Sequence, residues 1–248
     1  MKPLVIANWK MNPAGWREAK KLLEGTRKLA IKAKGISLIV APPALYFREL
    51  SKSVRGSKLS FAVQDAHFDA GGAHTGEISL KQAKDAGAAY AIIGHSEVRA
   101  RGETNETTGK KVAAALALKL VPILCVGEKE RTQTGSHFSI IAEQLKSGFG
   151  NIPAASLPRV LIAYEPVWAI GGEQAIRPTD MHEMAIFIRK TIVDMYGASG
   201  YKVKILYGGS ANEENAQSMF REGDVDGLLV GHVSVDLERF SALLRSIN

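Results

Sequence analysis

The sequence has little of what marks secreted, membrane-spanning or cofactor-dependent proteins. It contains one cysteine, Cys125, so no intrachain disulfide can form, and the chain fits a reducing compartment. No uninterrupted apolar stretch is long enough to cross a bilayer. The apolar run within MKPLVIANWK is too short for a signal peptide and lacks a cleavage-like site, so the expected location is cytoplasmic. The histidines at 67, 74, 95, 137, 182 and 232 show no HxH or HExxH spacing, and Cys125 has no thiol partner. No metal is therefore expected, although His67, His95 and His232 sharing one metal-hydrolase site stays open. GxGxxG and Walker patterns are missing too, which leaves nucleotide cofactors unsupported. No Pro/Ser/Gly-rich linker or break in composition divides the chain, so residues 1–248 are expected to form a single domain.

What is present is core-forming material: 46% of the residues are hydrophobic and 23% charged, an ordinary globular balance. The net charge of +7 suits an anionic partner. However, the basic residues are densest from Arg17 to Lys34, where they alternate with Leu22, Leu23, Leu29 and Ala30 at helical spacing. That pattern reads as the solvated face of a helix. No stacking-aromatic or groove-reading motif supports nucleic-acid binding, and none is expected. Cys125 lies inside an apolar run and reads as an inert buried thiol.

Eight short apolar runs recur, at 3–8, 36–42, 59–65, 90–95, 120–127, 159–165, 203–209 and 226–231. They are continuous rather than alternating, as strands buried on both faces of a parallel sheet should be. Amphipathic stretches of helical period lie between most of them: Trp16 to Ala33, Thr107 to Leu120, Thr179 to Tyr196, Asn212 to Arg221 and Val235 to Ile247. Thr179-Asp180 after Pro178 reads as a helix start, and Gly35, Gly197 and Gly223 as helix ends. Strands and helices that alternate eight times in this length favour an α/β fold closed as a single (β/α)8 barrel. Periodicity alone leaves an open doubly wound sheet as the alternative.

The residues that end these runs carry the chemistry. Run one ends in Asn8-Trp9-Lys10, run four in Gly94-His95-Ser96-Glu97, run six in Glu165, run seven in Gly208-Gly209-Ser210 and run eight in Gly231-His232. In a parallel barrel these ends meet on the face where active sites of that fold lie. Singly, each has a plain reading: a loop carboxylate, a core histidine, a solvated lysine, a helix-capping serine. Together they bring a carboxylate, an imidazole, an ammonium and an amide to one mouth. Beside them are two glycine turns of the kind that receive phosphate at a helix start.

Asn8-Trp9-Lys10-Met11-Asn12, Gly94-His95-Ser96-Glu97, Ala163 to Gly171 (AYEPVWAIG), Tyr207-Gly208-Gly209-Ser210 and Asp226 to Gly231 (DGLLVG) resemble the signature segments of triosephosphate isomerases. The match runs over essentially the whole chain. It implies a TIM barrel that interconverts dihydroxyacetone phosphate and glyceraldehyde 3-phosphate through an enediolate, in glycolysis and gluconeogenesis, without cofactor or metal. Glu165 is then the base, and His95 a neutral electrophile whose pKa the following helix start lowers; this family is itself a standard case of such pKa tuning. Lys10 and Asn8 stabilise the oxyanion and contact substrate, Glu97 organises that region, and Gly171, Ser210, Gly231 and His232 receive the phosphate. The resemblance also implies a homodimer through the loop Asp65 to Glu77, with Thr75 at its tip, and an ion pair between Arg189 and Asp226.

Departures fall at the lid and the subunit contact. The family's usual Gly-Thr-Gly-Lys-Thr-Ala reads Gly171-Gly172-Glu173-Gln174-Ala175-Ile176 here, and a frequent double glycine reads Gly231-His232. Val98 stands where an arginine often follows, His74 replaces a frequent aromatic beside Thr75, and Ala100 to Gly102 is shorter than usual. The added glycine and the Glu173 charge predict a lid that closes less favourably. Two other readings stand beside an active isomerase: a barrel that has lost catalysis and binds phosphate ligands or acts as a scaffold, and another sugar-phosphate isomerase on the same fold.

Overall fold

The computed structural model describes residues 2–54, 56–132, 134–150, 152–170 and 175–248. Its strands are β1 (Leu4–Asn8), β2 (Ser37–Ala41), β3 (Leu59–Val63), β4 (Tyr90–Ile93), β5 (Val121–Val126), β6 (Leu161–Tyr164), β7 (Lys204–Tyr207) and β8 (Gly227–Val230). They form a closed barrel in chain order, and β1 pairs in parallel with both β2 and β8. The eight apolar runs are these strands, and closure excludes the open sheet. Around them lie α1 (Trp16–Lys32), α2 (Ala44–Ser53), α3 (Leu80–Asp85), α4 (Ser96–Arg99), α5 (Asn105–Ala117), α6 (Ser136–Phe149), α7 (Pro178–Tyr196), α8 (Ala216–Glu222) and α9 (Leu237–Ser246).

Two apolar clusters explain why the runs are continuous. Leu4, Ile6, Ile39, Ala41, Ala62, Ile92, Ile123, Cys125, Leu161, Ala163, Leu206 and Leu229 fill the barrel interior. Their strand neighbours, such as Val5, Ala7, Leu38, Val40, Ile162 and Leu228, pack outward against the helices. Successive side chains point to opposite faces, and here both faces are buried. The same period of two carries past the strand ends. It aims Asn8 beyond Ile6, Gln64 beyond Ala62, Gly127 beyond Cys125, Glu165 beyond Ala163, Gly208 beyond Leu206 and Gly231 beyond Leu229 toward the barrel mouth.

Several local expectations need correction. α1 stops at Lys32 with Ala33 as its cap, two residues before Gly35. α7 starts at Pro178 with Arg177 as cap, because proline's missing N–H costs nothing in a first turn. Gly197 and Gly223 do close α7 and α8. Arg189 pairs with Asp224 at 3.4 Å, whereas Asp226 accepts the Ile205 N–H at 2.9 Å. Ion pairing to the turn residue leaves Asp226 to order the backbone between β7 and β8.

Candidate active site

A cavity of about 340 Å³ opens at the C-terminal end of the barrel, lined by Asn8, Lys10, His95, Ile170, Ser210, Gly231 and His232 among others. Leu229 of the interior cluster is part of its lining, so the packed barrel carries the site directly. Alternation alone would turn His95 outward, since Ile92 belongs to the inner set. Gly94 intervenes at φ +74°, a conformation that glycine adopts without penalty, and the turn brings His95 to the mouth.

Lys10 sits at φ +52°, which costs a non-glycine residue roughly 1–3 kcal/mol. Three contacts hold it there. Its N–H donates to Asn8 Oδ1 at 3.1 Å. Gln64 Nε2 donates to the carbonyls of Lys10 and Ala41, each at 2.8 Å. The ammonium reaches Glu97 Oε1 at 2.5 Å. Burial alone would raise the Glu97 carboxyl, but the Lys10 hydrogen bond and charge outweigh it and hold the group below the usual glutamate range.

His95 is buried, and its Nδ1 accepts the Glu97 N–H at 3.2 Å. That acceptor role leaves the ring proton on Nε2, a neutral imidazole with its donor free to face the mouth. His95 Nε2 lies 3.2 Å from Glu165 Oε1, but Oε1 makes no aligned hydrogen bond. The other oxygen, Oε2, accepts the Ser96 N–H at 2.8 Å. Glu165 is 1% exposed and lines a second cavity, shared with Ser96, Arg99, Glu128 and Val167, rather than the mouth itself. The Glu165 carboxylate is therefore held back from the mouth, in a withdrawn pose.

Glycines just past both neighbouring strands make that pose possible. The Glu165 N–H donates to Val126 O and the Tyr164 carbonyl accepts from Gly208 N–H, both at 2.8 Å, which puts Gly127 and Gly208 on either side of Glu165. A Cβ at Gly127 would overlap the Glu165 carbonyl, and one at Gly208 would stand 2.9 Å from Glu165 Cγ. Cys125, below, is fully buried; burial first, then the Glu165 charge, pushes its thiol well above the ordinary value, as an inert thiol requires.

The turns expected to receive phosphate differ from the picture drawn from sequence. Ser210 is not a helix cap: Asn215 precedes α8, and its Nδ2 donates to the Ser210 carbonyl at 2.8 Å. The Ser210 hydroxyl donates to Ala169 O at 2.7 Å, which ties β7's turn to the segment after Glu165. Beyond Gly231 a 3-10 turn, His232–Val235, precedes α9. Pro166 (φ −66°) opens a second 3-10 turn, Val167–Ala169, and Trp168 Nε1 and Tyr164 Oη both donate to buried Glu128 Oε1 at 2.8 Å. Gly171 and the rest of the GGEQ segment lie outside the described residues. His95 and His232 line the mouth, whereas His67 does not. Sequence reasoning missed Gln64 and Glu128, although Gln64 opens the polar end of run three, as Glu165 closes run six.

The profile of the family described as Triosephosphate isomerase matches residues 3–247. Among curated relatives, a protein named Triosephosphate isomerase from Endomicrobium trichonymphae is 39% identical over 247 residues, 98% of each chain. One of the same name from Citrifermentans bemidjiense is also 39% identical over 98% of each chain. A third, from Photorhabdus laumondii subsp. laumondii, is 36% identical over 98% of this chain and 96% of its own.

Proposed function

The chain belongs to the triosephosphate isomerase family, the aldose–ketose isomerases of triose phosphates, and on that premise we propose how its residues divide the reaction. The Glu165 carboxylate leaves Ser96 and takes a proton from the carbon beside the substrate carbonyl. The electron pair of that C–H bond becomes the carbon–carbon double bond, and the carbonyl pair moves onto oxygen. His95 Nε2–H, the Lys10 ammonium and the Asn8 amide face that oxygen and stabilise its developing charge. A proton passes between the two enediolate oxygens, and protonated Glu165 returns its own to the adjacent carbon. No electrons leave the substrate, so the chemistry needs no cofactor.

Phosphate is received by the turns at Ser210 and at Gly231-His232, where backbone N–H groups supply donors without a fixed charge, and by Gly171. The observation that carries this reading is the neutral-tautomer geometry of His95. Its Nδ1 is occupied by the Glu97 N–H, while Nε2 stands beside both Glu165 and the mouth. The stalled-barrel alternative draws no support from the family match or the curated relatives.

A homodimer is part of the same proposal. Met11 and Leu45 are 91% and 87% exposed and border a cavity of about 570 Å³ with Lys10, Gln64, Glu97 and Arg101, a hollow suited to a second copy's loop tip at Thr75. A cytoplasmic location completes the proposal; no described helix is long and apolar enough to cross a membrane.

One coupled assay run over a range of protein concentrations tests both parts. Wild type should interconvert the two triose phosphates, with specific activity falling on dilution. Glu165→Gln should lower kcat by roughly a hundred- to ten-thousand-fold, the range for a lost general base. Analogue binding without wild-type turnover would instead establish the stalled barrel.

A further inference from the structure

The loop after β3 gathers donor groups that the isomerisation does not use. His67, Asp69 and His74 present ligand-type atoms that all lie within 4.8 Å of one another, and no other such cluster occurs among the described residues. His74 Nε2 is 3.1 Å from Asp69 Oδ2, and His67 Nδ1 is 3.8 Å from the same oxygen. The Asp69 N–H donates to His67 Nδ1 at 3.0 Å, so that nitrogen carries a lone pair and no proton. The two rings stack with centroids 4.1 Å apart, and Phe68 stacks on His67 at 4.3 Å.

The neighbouring cations are engaged elsewhere. Lys111 pairs with Asp65 and Glu103, and Lys110 pairs with Glu106 while lying over the Phe68 ring. Among the described residues only the two imidazoles stand in ion-pair range of Asp69. A simple surface His–Asp pair explains one imidazole at that carboxylate; the Asp69 N–H brings a second imidazole nitrogen, with a lone pair and no proton, to within 3.8 Å of the same oxygen.

We propose that His67, Asp69 and His74 form a binding site for one divalent first-row transition ion of the Zn²⁺ class. Two imidazoles and one carboxylate suit Zn²⁺, Co²⁺, Ni²⁺ or Cu²⁺ over the oxygen-seeking Mg²⁺ and Ca²⁺. Ligand bonds of about 2.0–2.2 Å place tetrahedral ligand atoms about 3.3 Å apart. The Asp69–His74 separation already meets that spacing; the His67 contact needs a shift of about half an ångström, and the stacked rings must tilt apart so that the ion lies in both ring planes. The Gly71-Gly72 turn, with Gly72 at φ +142°, lets the segment between Asp69 and His74 adjust. On binding, the His74 ring proton moves from Nε2 to Nδ1, the ion replaces the Asp69 N–H at His67 Nδ1, and water fills the remaining positions. Nothing is oxidised or reduced.

The test is a titration of the metal-free full-length protein, with Zn²⁺ followed by calorimetry and Co²⁺ by its visible absorption. One ion per chain is expected with micromolar or tighter affinity. His74→Phe and Asp69→Asn should each weaken it at least tenfold, whereas His182→Phe, away from the loop, should not. Well under one ion per chain, or equal affinity in all variants, would overturn the proposal. Should a variant misfold, X-ray absorption of the wild-type complex decides: two imidazole nitrogens in the ion's shell support the site, and none or one overturns it.

Discussion

At Glu165 the two adjoining strands supply only hydrogen where side chains would otherwise stand. Gly127 and Gly208 flank it, and the carboxylate uses that space to rest on the Ser96 N–H. Gly208→Ala would press on Glu165 Cγ and displace the proposed base, and a base misplaced by an ångström can lose roughly ten- to a hundred-fold in rate. We expect kcat to fall by that order with KM and thermal stability little changed; an unaltered kcat would show that the base tolerates the displacement. Glu97 makes a second residue-scale prediction. Its folded carboxyl titrates below the ordinary value. Its stabilising contribution is therefore whole above the unfolded glutamate value of about 4.3 and is lost as pH falls through the lower folded value. The stability gap between wild type and Glu97→Gln, measured by denaturant unfolding, should close on acidification; a gap that stays constant from neutrality to acid would refute the assignment.

Among the elements, α9 shows how a helix start serves the site next to it. The Asp236 side chain accepts the N–H groups of Glu238 and Arg239 at 3.0 and 3.1 Å. Arg239, paired with Glu213 at 2.8 Å, also lines the mouth. Asp236→Ala removes the cap, at about 1 kcal/mol of stability, and frees the first turn beside Gly231-His232. Chemical unfolding should show that loss, and steady-state kinetics a higher KM with kcat nearly kept; an unchanged KM would separate this helix from phosphate binding. Elements such as this were legible in the sequence because amphipathic spacing survives in it, and the strands because burial on both faces makes their runs continuous. Their ends were less so. The runs at 59–65 and 203–209 overshoot β3 and β7, since Gln64 and Gly208 keep the inward alternation after the ladder stops. Asn8, Lys10 and His95 were readable as polar residues closing apolar runs. The withdrawn pose of Glu165, the Gln64 clamp and the Glu128 anchor were not, because each depends on partners from strands distant in sequence.

For the whole molecule, what matters is the seam between β1 and β8. Leu4 lies opposite Gly227 there, and a Cβ at Gly227 would collide with the Leu4 carbonyl and stand 2.6 Å from a Leu206 methyl. Gly227→Val should therefore force the seam apart, with a loss of about 1–3 kcal/mol, the usual range for overpacking. A melting curve superimposable on wild type would refute that reading. The seam also governs how the protein is made. Every other strand can pair with the one synthesised just before it, but β1 lacks its second neighbour until β8 has been translated. Throughout that interval the growing sheet has two exposed edges, each a template for unwanted pairing with other chains. A barrel without edges when finished thus keeps two open edges until its last strand has been translated.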